Sequence, residues 1–470
     1  MLLEFRVRNF RSIRDEQVLS LVASADTELA ETHLAETGLK ASPAVVRSAV
    51  VYGPNASGKS TLLLALNYMR AVVAESATVI QPGQVFNVQP FKLDEAFAKE
   101  PTSFELTFML EDVRYQYAFA MTPQRIVSES LLVYRTAKPT QWFSRQLAED
   151  GESYDYEFST YLTGSRKLWH DSTRPNALFL STAAQLNSAL LGPVFQSIVS
   201  TIVYLPAGTK LNHDFTTAML ATDEGRIAVR DFMSTADISI ADVQAVARKG
   251  FREQLLVHAG GVAHAGREEG EFLVPVFQHA TLKGAAKFEL QEESDGTQRL
   301  LHLAPLLHDL GEQHSLCIID ELDRSLHPLL TRLFLQRFIA QAQSGTGQLI
   351  FTTHDTNILD FKLLSRDAVG FVERELGRLS HHDLADLHAV TVEPHEQVQV
   401  VLGTHLGDRE PRRALEQPQL AQPPIGHVDR GVAFELVDRA PVEVHRRRGR
   451  DRQARVIRFV VLVEHEVHLV

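Results

Sequence analysis

Apolar and polar residues alternate from the start of the chain. In LLEFRVRNF, Leu3, Phe5 and Val7 fall on one side, which predicts a strand with one buried face. A denser apolar run follows, Val45-Val46 and then Ala49-Val50-Val51-Tyr52, the β-rich pattern of a buried strand. After a glycine-rich turn, the leucine- and alanine-rich stretch from Lys59 to Glu75 predicts a helix. SFELTFML and YQYAFAM flank a short acidic turn, Glu111-Asp112, and predict antiparallel strands, with Ile126 to Tyr134 next. Signals weaken over 140–290. Asn176 to Ser200 and Thr217 to Met233 read as helices, and Phe272 to Phe277 and Lys287 to Gln291 as strands. Neither sustained heptads nor an internal repeat is evident, which argues against a long coiled-coil arm. Strong patterning returns over 294–388. A helix from about Gly296 to Leu310, a buried strand Leu316 to Ile319, a helix from about Pro328 to Gln343 and a strand Gln348 to Thr352 alternate, as in a mostly parallel α/β sheet.

Composition narrows the class. At 470 residues the chain suggests about three structural units. With 44% apolar and 23% charged residues it reads as an ordinary globular protein, not a collagen-like, mucin-like or wholly disordered one. The balance of 47 basic against 59 acidic residues, a net −12, argues against a strongly basic nucleic-acid binder and leaves room for a local basic patch. Cys317 is the single cysteine, so no intramolecular disulfide framework forms and a reducing compartment is expected. The charged opening MLLEFRVRNFRS is no signal peptide, and no apolar run approaches the ~18 residues of a membrane helix. A cytoplasmic protein without membrane contact is the expectation. From Ala389 to Val470 the composition changes: Lys, Ser, Asn, Tyr and Trp vanish, while 16 Val and 12 Arg appear. This tail reads as out-of-frame or unfolded in preference to a variable subdomain. Its 12 Arg are matched by 12 acids, so the run Arg446 to Arg455 is weak grounds for nucleic-acid binding.

Four motifs carry chemistry. Gly53-Pro54-Asn55-Ala56-Ser57-Gly58-Lys59-Ser60 matches G-x-x-x-x-G-K-[ST] between a predicted strand and a predicted helix. Such a loop turns successive backbone N–H groups toward phosphates at a helix N-terminus. Lys59 would bridge the β- and γ-phosphates of ATP, the Ser60 hydroxyl would ligate Mg²⁺, and Thr61 could reach the α-phosphate. Leu316-Cys317-Ile318-Ile319-Asp320-Glu321 places two carboxylates at a buried strand end: Asp320 to hold Mg²⁺, and Glu321 to act as general base on water. Phe351-Thr352-Thr353-His354-Asp355 places a histidine at another strand end, where it can sense the γ-phosphate. Ser294-Asp295-Gly296 opens a helix and forms an anion site from hydroxyl and backbone N–H groups; read alone, Ser294 is an N-cap.

In this order the motifs resemble the heads of ABC-type ATPases, and within them the non-transporter branch of SMC proteins, RecF-type repair ATPases and OLD-like AAA ATPases. The last of these often accompany restriction or abortive-infection systems. The resemblance implies an α/β P-loop NTPase head with an inserted β-meander and helical lobe. Its parts would be an N-terminal half (1–99), an insert (100–290), a C-terminal half (291–388) and the atypical tail (389–470). It further implies that Asn9, Arg11 and Ser12 of FRVRNFRSIRD lie near the nucleotide, and that Gln89 of NVQPFKLD touches Mg²⁺ and water. Two protomers would sandwich two ATPs, with Ser294 and Gly296 of one facing the phosphate held by Lys59 of the other and the D-loop residue Asp323 crossing the interface. The transporter signature has two glycines after its serine; here Asp295 stands in place of the first.

The function this implies is an Mg-dependent ATPase switch, a homodimer when loaded, acting on a separately encoded effector or a nucleic acid, in phage defence. The alternative is RecF- or SMC-like DNA repair or chromosome maintenance. An OLD-type nuclease would need an Asp-x-Asp pair after His354; Asp383 and Asp386 are three apart in a polar segment. A transporter subunit is disfavoured by the insert and the altered signature. The pair His381-His382 reads as solvated loop.

Overall fold

The computed structural model describes residues 1–24, 29–40, 42–207, 214–235, 239–257, 263–312, 315–342, 345–375, 378–380 and 455–457. The tail from Ala389, apart from its last three-residue stretch above, lies outside these residues, as do His381, His382, Asp383 and Asp386. Two sheets organise the described chain. The first runs, in spatial order, Tyr154–Phe158, Thr140–Leu147, Ile126–Tyr134, Val113–Met121, Thr102–Leu110, Leu2–Arg8, Gln17–Ser20 and Arg455–Ile457, antiparallel except for the last pair. The second is fully parallel and runs Ile202–Leu205, Leu316–Ile319, Gln348–Thr352, Ser48–Tyr52, Val369–Phe371.

Because side chains alternate along a strand, one buried strand feeds two cores. Ala49 and Val51 face the antiparallel sheet, together with Leu316, Ile318 and Ile350. The helix Lys59–Glu75 fills this layer with Leu62, Leu63, Leu66, Met69 and Val73. Val50 and Tyr52, with Cys317, Ile319, Leu349 and Phe351, face the opposite way. There they meet the helices Asp295–Glu312 and Pro328–Ala342. Cys317 is therefore core, which its place in an apolar strand predicts.

Most strongly patterned segments fold as read. The Glu111-Asp112 turn takes left-handed backbone at both residues (φ 49° and 59°), the geometry that suits a two-residue hairpin. The weakly patterned stretch departs from expectation. Asn176 to Ser200 is two helices, Phe179–Gln185 and Leu191–Thr201, interrupted where Asn187 turns left-handed (φ 58°). Thr217 to Met233 is likewise two, Asp214–Leu220 and Asp223–Thr235; the Thr222 hydroxyl accepts from Gly225 N–H at the break. The expected short strand at Phe272 to Phe277 and the first part of that at Lys287 to Gln291 belong to a three-stranded sheet; Leu290 and Gln291 turn into a 3-10 helix, Leu290–Glu292. That sheet is built on a hairpin of Ile240–Val257 and Ala263–Thr281, with Gly284–Glu289 as third strand. The insert thus carries a long β-ribbon arm in addition to its helices. Ile202–Leu205, from the same stretch, is an edge strand of the parallel sheet.

Candidate functional site

The parallel sheet brings four sequence segments to its C-terminal edge, where ligands of open α/β sheets bind. The loop from Gly53 to Gly58 leaves one strand there; Asp320 ends a second, Thr353 and His354 a third, and Val372 a fourth.

The loop needs its glycines. A Cβ on Gly53 would lie 2.2 Å from the Val372 carbonyl oxygen, a backbone atom that cannot yield. Gly58 enters the helix at φ 109°, a left-handed value open to glycine. Pro54, Asn55 and Ala56 are exposed at the tip, and Ser57 is buried beneath it. Lys59, 5% exposed, donates from Nζ to the carbonyls of Gly53 (2.7 Å) and Pro54 (3.1 Å), so its ammonium spans the loop with a third N–H to spare. Burial lowers its pKa from the ordinary lysine value, and Asp320, Glu321 and Asp323 pull it back up.

Asp320 is the hub. It is 3% exposed, and its Oδ1 accepts from the hydroxyls of Ser60 (3.0 Å) and Thr352 (2.7 Å). Thr352 Oγ1 in turn accepts from Glu321 N–H at 2.7 Å. One threonine therefore sets both the carboxylate of Asp320 and the backbone of Glu321, which turns left-handed (φ 53°). Thr352 was not singled out from sequence; the available signal was a hydroxyl pair, Thr352-Thr353, closing an apolar strand. Ser60 and Asp320 form an incomplete oxygen set, the kind Mg²⁺ takes when substrate phosphates complete its shell. Among the described residues no three His, Cys, Asp or Glu side chains gather as an all-protein metal cage.

Glu321 is half-buried, and its Oε2 pairs with Arg324 Nη1 at 3.1 Å. His354 is exposed; its backbone N–H donates to Asp323 Oδ2 at 3.3 Å, tying the expected D-loop to the histidine turn of the same chain. Tyr52 donates its hydroxyl to the Asp355 carbonyl (2.9 Å), and burial raises its pKa well above the ordinary value.

The N-terminal signature divides. Ser12 is exposed and donates to the Thr61 hydroxyl at 2.9 Å, next to the loop. Arg11 is exposed too, and its N–H donates to the Gln89 carbonyl at 2.7 Å. Asn9 is fully buried. Its amide donates to the carbonyls of Phe97 and Glu100 and accepts from Phe91 N–H. With those groups committed, the Asn9 side chain holds the 91–101 segment in place. Gln89 is joined to this region through its main chain, while Ser60 and Thr352 are the side chains on Asp320.

Ser294 caps its helix. Its Oγ accepts from Thr297 N–H (3.2 Å) and lies 2.9 Å from the Thr297 hydroxyl. Gly296 packs so close to the turn after Asp323 that a Cβ there would lie 3.0 Å from the Ser325 carbonyl oxygen. The signature turn and the Asp323 turn thus form one surface of the protomer.

Residues 48–360 match the family described as "AAA domain, putative AbiEii toxin, Type IV TA system". No curated protein matches the chain. Among solved structures it is similar to the SMC head domain from Thermotoga maritima (13% identity, 81% of this chain and 97% of that one, TM-score 0.37). It is also similar to the SmcHead bound to the C-winged helix domain of ScpA (12%, 82% and 99%, 0.40).

Proposed function

Because the chain belongs to this AAA-domain family of P-loop ATPases, we propose that it is an ATP-hydrolysing switch whose protomers close around ATP and reopen on hydrolysis. The observation that carries this reading is the convergence on Asp320: hydroxyls from the P-loop helix and from the histidine strand meet one carboxylate oxygen beside Glu321.

The backbone N–H groups of 55–60 and the Lys59 ammonium hold the ATP phosphates. Ser60 and Asp320 would hold Mg²⁺, which would supply neutralising charge for the phosphates. Glu321 takes the proton of a water whose oxygen attacks the γ-phosphorus, and ADP departs from the far side. His354 sits where the γ-phosphate ends and registers its loss. Ser294 and Gly296 offer a hydroxyl and N–H groups to the ATP of a second protomer, with Asp323 beside them. Arg11, Ser12 and Thr61 line the nucleotide side, and Gln89 lies behind Arg11.

The family description names a toxin of a type IV toxin–antitoxin system. This supports placing the switch in defence, upstream of a separately encoded effector or a nucleic acid. Phosphate release by the purified chain, with and without Lys59→Ala, tests the catalytic core. We expect Mg-dependent turnover that falls at least ~100-fold in the variant; undiminished turnover would sink the reading.

A further inference from the structure

A polar contact joins the β-ribbon arm to the signature turn, and none of the roles above uses it. His279 lies at the root of the arm, opposite Ile240 on one side and Ala286 on the other. Its Nε2 is 2.7 Å from Oε1 of Glu293, the residue immediately before the cap Ser294. The Glu293 side chain is 8% exposed and that of His279 20%, so this is no loose surface pair. A carboxylate only accepts, so Nε2 carries the hydrogen. On its other edge the ring has Nδ1 3.4 Å from the Ser239 hydroxyl, and Phe288 meets it edge-to-face at 5.0 Å.

Glu293 is fixed along its main chain as well. Its N–H donates to the Leu290 carbonyl (3.2 Å), and its own carbonyl accepts from Gln298 Nε2 (2.8 Å) inside the signature helix. Just upstream, the Glu292 carboxylate accepts from Glu289 N–H at 2.7 Å, closing a capping box over the turn. The path from the arm's third strand to Ser294 therefore has no slack, and the His279 side chain spans it a second time. The arm strands are 18 and 19 residues long, which at ~3.3 Å per residue makes each about 60 Å. Only Val276 to Thr281 of the longer strand is backed by the third strand.

We propose that His279 is a positioning residue for the signature motif: its bond to Glu293 fixes Ser294 and the first turn of the signature helix for the ATP of a second protomer, and makes the ribbon arm a lever on that engagement. This rests on the switch reading above. The bond acts on the second protomer's site and leaves the protomer's own P-loop untouched, which separates it from a merely structural contact.

The test uses the full chain. His279→Ala should bind a fluorescent ATP analogue like wild type and turn over about tenfold more slowly. His279→Gln, whose amide can donate to Glu293, should recover. The decisive arm mixes His279→Ala with Lys59→Ala. A mixed dimer pairs the intact P-loop of the first with the intact signature of the second, so turnover should rise well above that of either variant alone. If His279→Ala does not fold, Glu293→Ala cuts the same bond from the other side and takes its place. Turnover in wild type with no gain in the mixture overturns this proposal alone. A wild-type chain that neither hydrolyses nor dimerises overturns the switch reading together with it.

Discussion

Asp320 concentrates the site's demands on a few atoms. A buried carboxylate is costly unless its lone pairs are used, and here two hydroxyls use one oxygen. Thr352→Val removes one of them and leaves Glu321 N–H without its acceptor. The expected cost is about 1–3 kcal/mol of stability, seen as a lower Tm, with turnover down about tenfold or more and a higher Mg²⁺ requirement. Unchanged Mg²⁺ dependence would count against the hub. Gly53→Ala is a sharper lesion, because the added methyl meets a backbone carbonyl; nucleotide binding should be lost while the fold, read by circular dichroism, persists. A third residue sets a pH limit. His33 is buried; its Nε2 faces the Leu363 carbonyl at 2.9 Å, and burial pulls its pKa below 6.5. Unfolded chain then binds the proton more readily, so stability is complete above pH 6.5 and falls as pH drops from there toward the lowered folded value. His33→Gln should flatten that part of a Tm-against-pH curve.

At the scale of elements, the antiparallel sheet is clasped to the helices beneath it by a fully buried pair. Glu129 accepts from the N–H groups of Phe179 and Leu180, at the start of Phe179–Gln185, and from the Tyr117 hydroxyl. Arg145, 3.9 Å away, donates to the carbonyls of Ala177 and Arg174. Glu129→Ala leaves Arg145 buried without its counter-charge and should cost about 3–5 kcal/mol; Glu129→Gln, which still accepts, should cost less. Denaturant melts of the two separate an ion-pair role from simple packing. These elements also show what was legible in sequence. Ser48–Tyr52, Leu316–Ile319 and Gln348–Thr352 announce themselves because a buried parallel strand is a near-continuous apolar run. The motif residues at their ends could be named for the same reason. The ribbon arm could not be read. Gly250, Gly266, Gly270 and Pro275 interrupt its alternation, and strand preference depends on packing context more than on the residues themselves. Nor was the burial of the Asn9 amide legible, since it bonds to carbonyls around ninety residues away.

For the molecule as a whole, two cores on opposite faces of one parallel sheet hold the P-loop helix on one side and the signature helix on the other. Within a protomer, the Ser294 oxygen accepts from Thr297 N–H at its own helix cap, and Gly296 abuts the turn that carries Asp323. On the proposed reading, this surface completes an ATP site when a second protomer supplies the P-loop. Removing the proposed base should trap that state without preventing binding, so light scattering on Glu321→Gln, with and without Mg-ATP, tests it directly. A doubling of mass that requires ATP is the predicted result; a mass indifferent to ATP would contradict the sandwich and leave a nucleotide-binding domain that works alone.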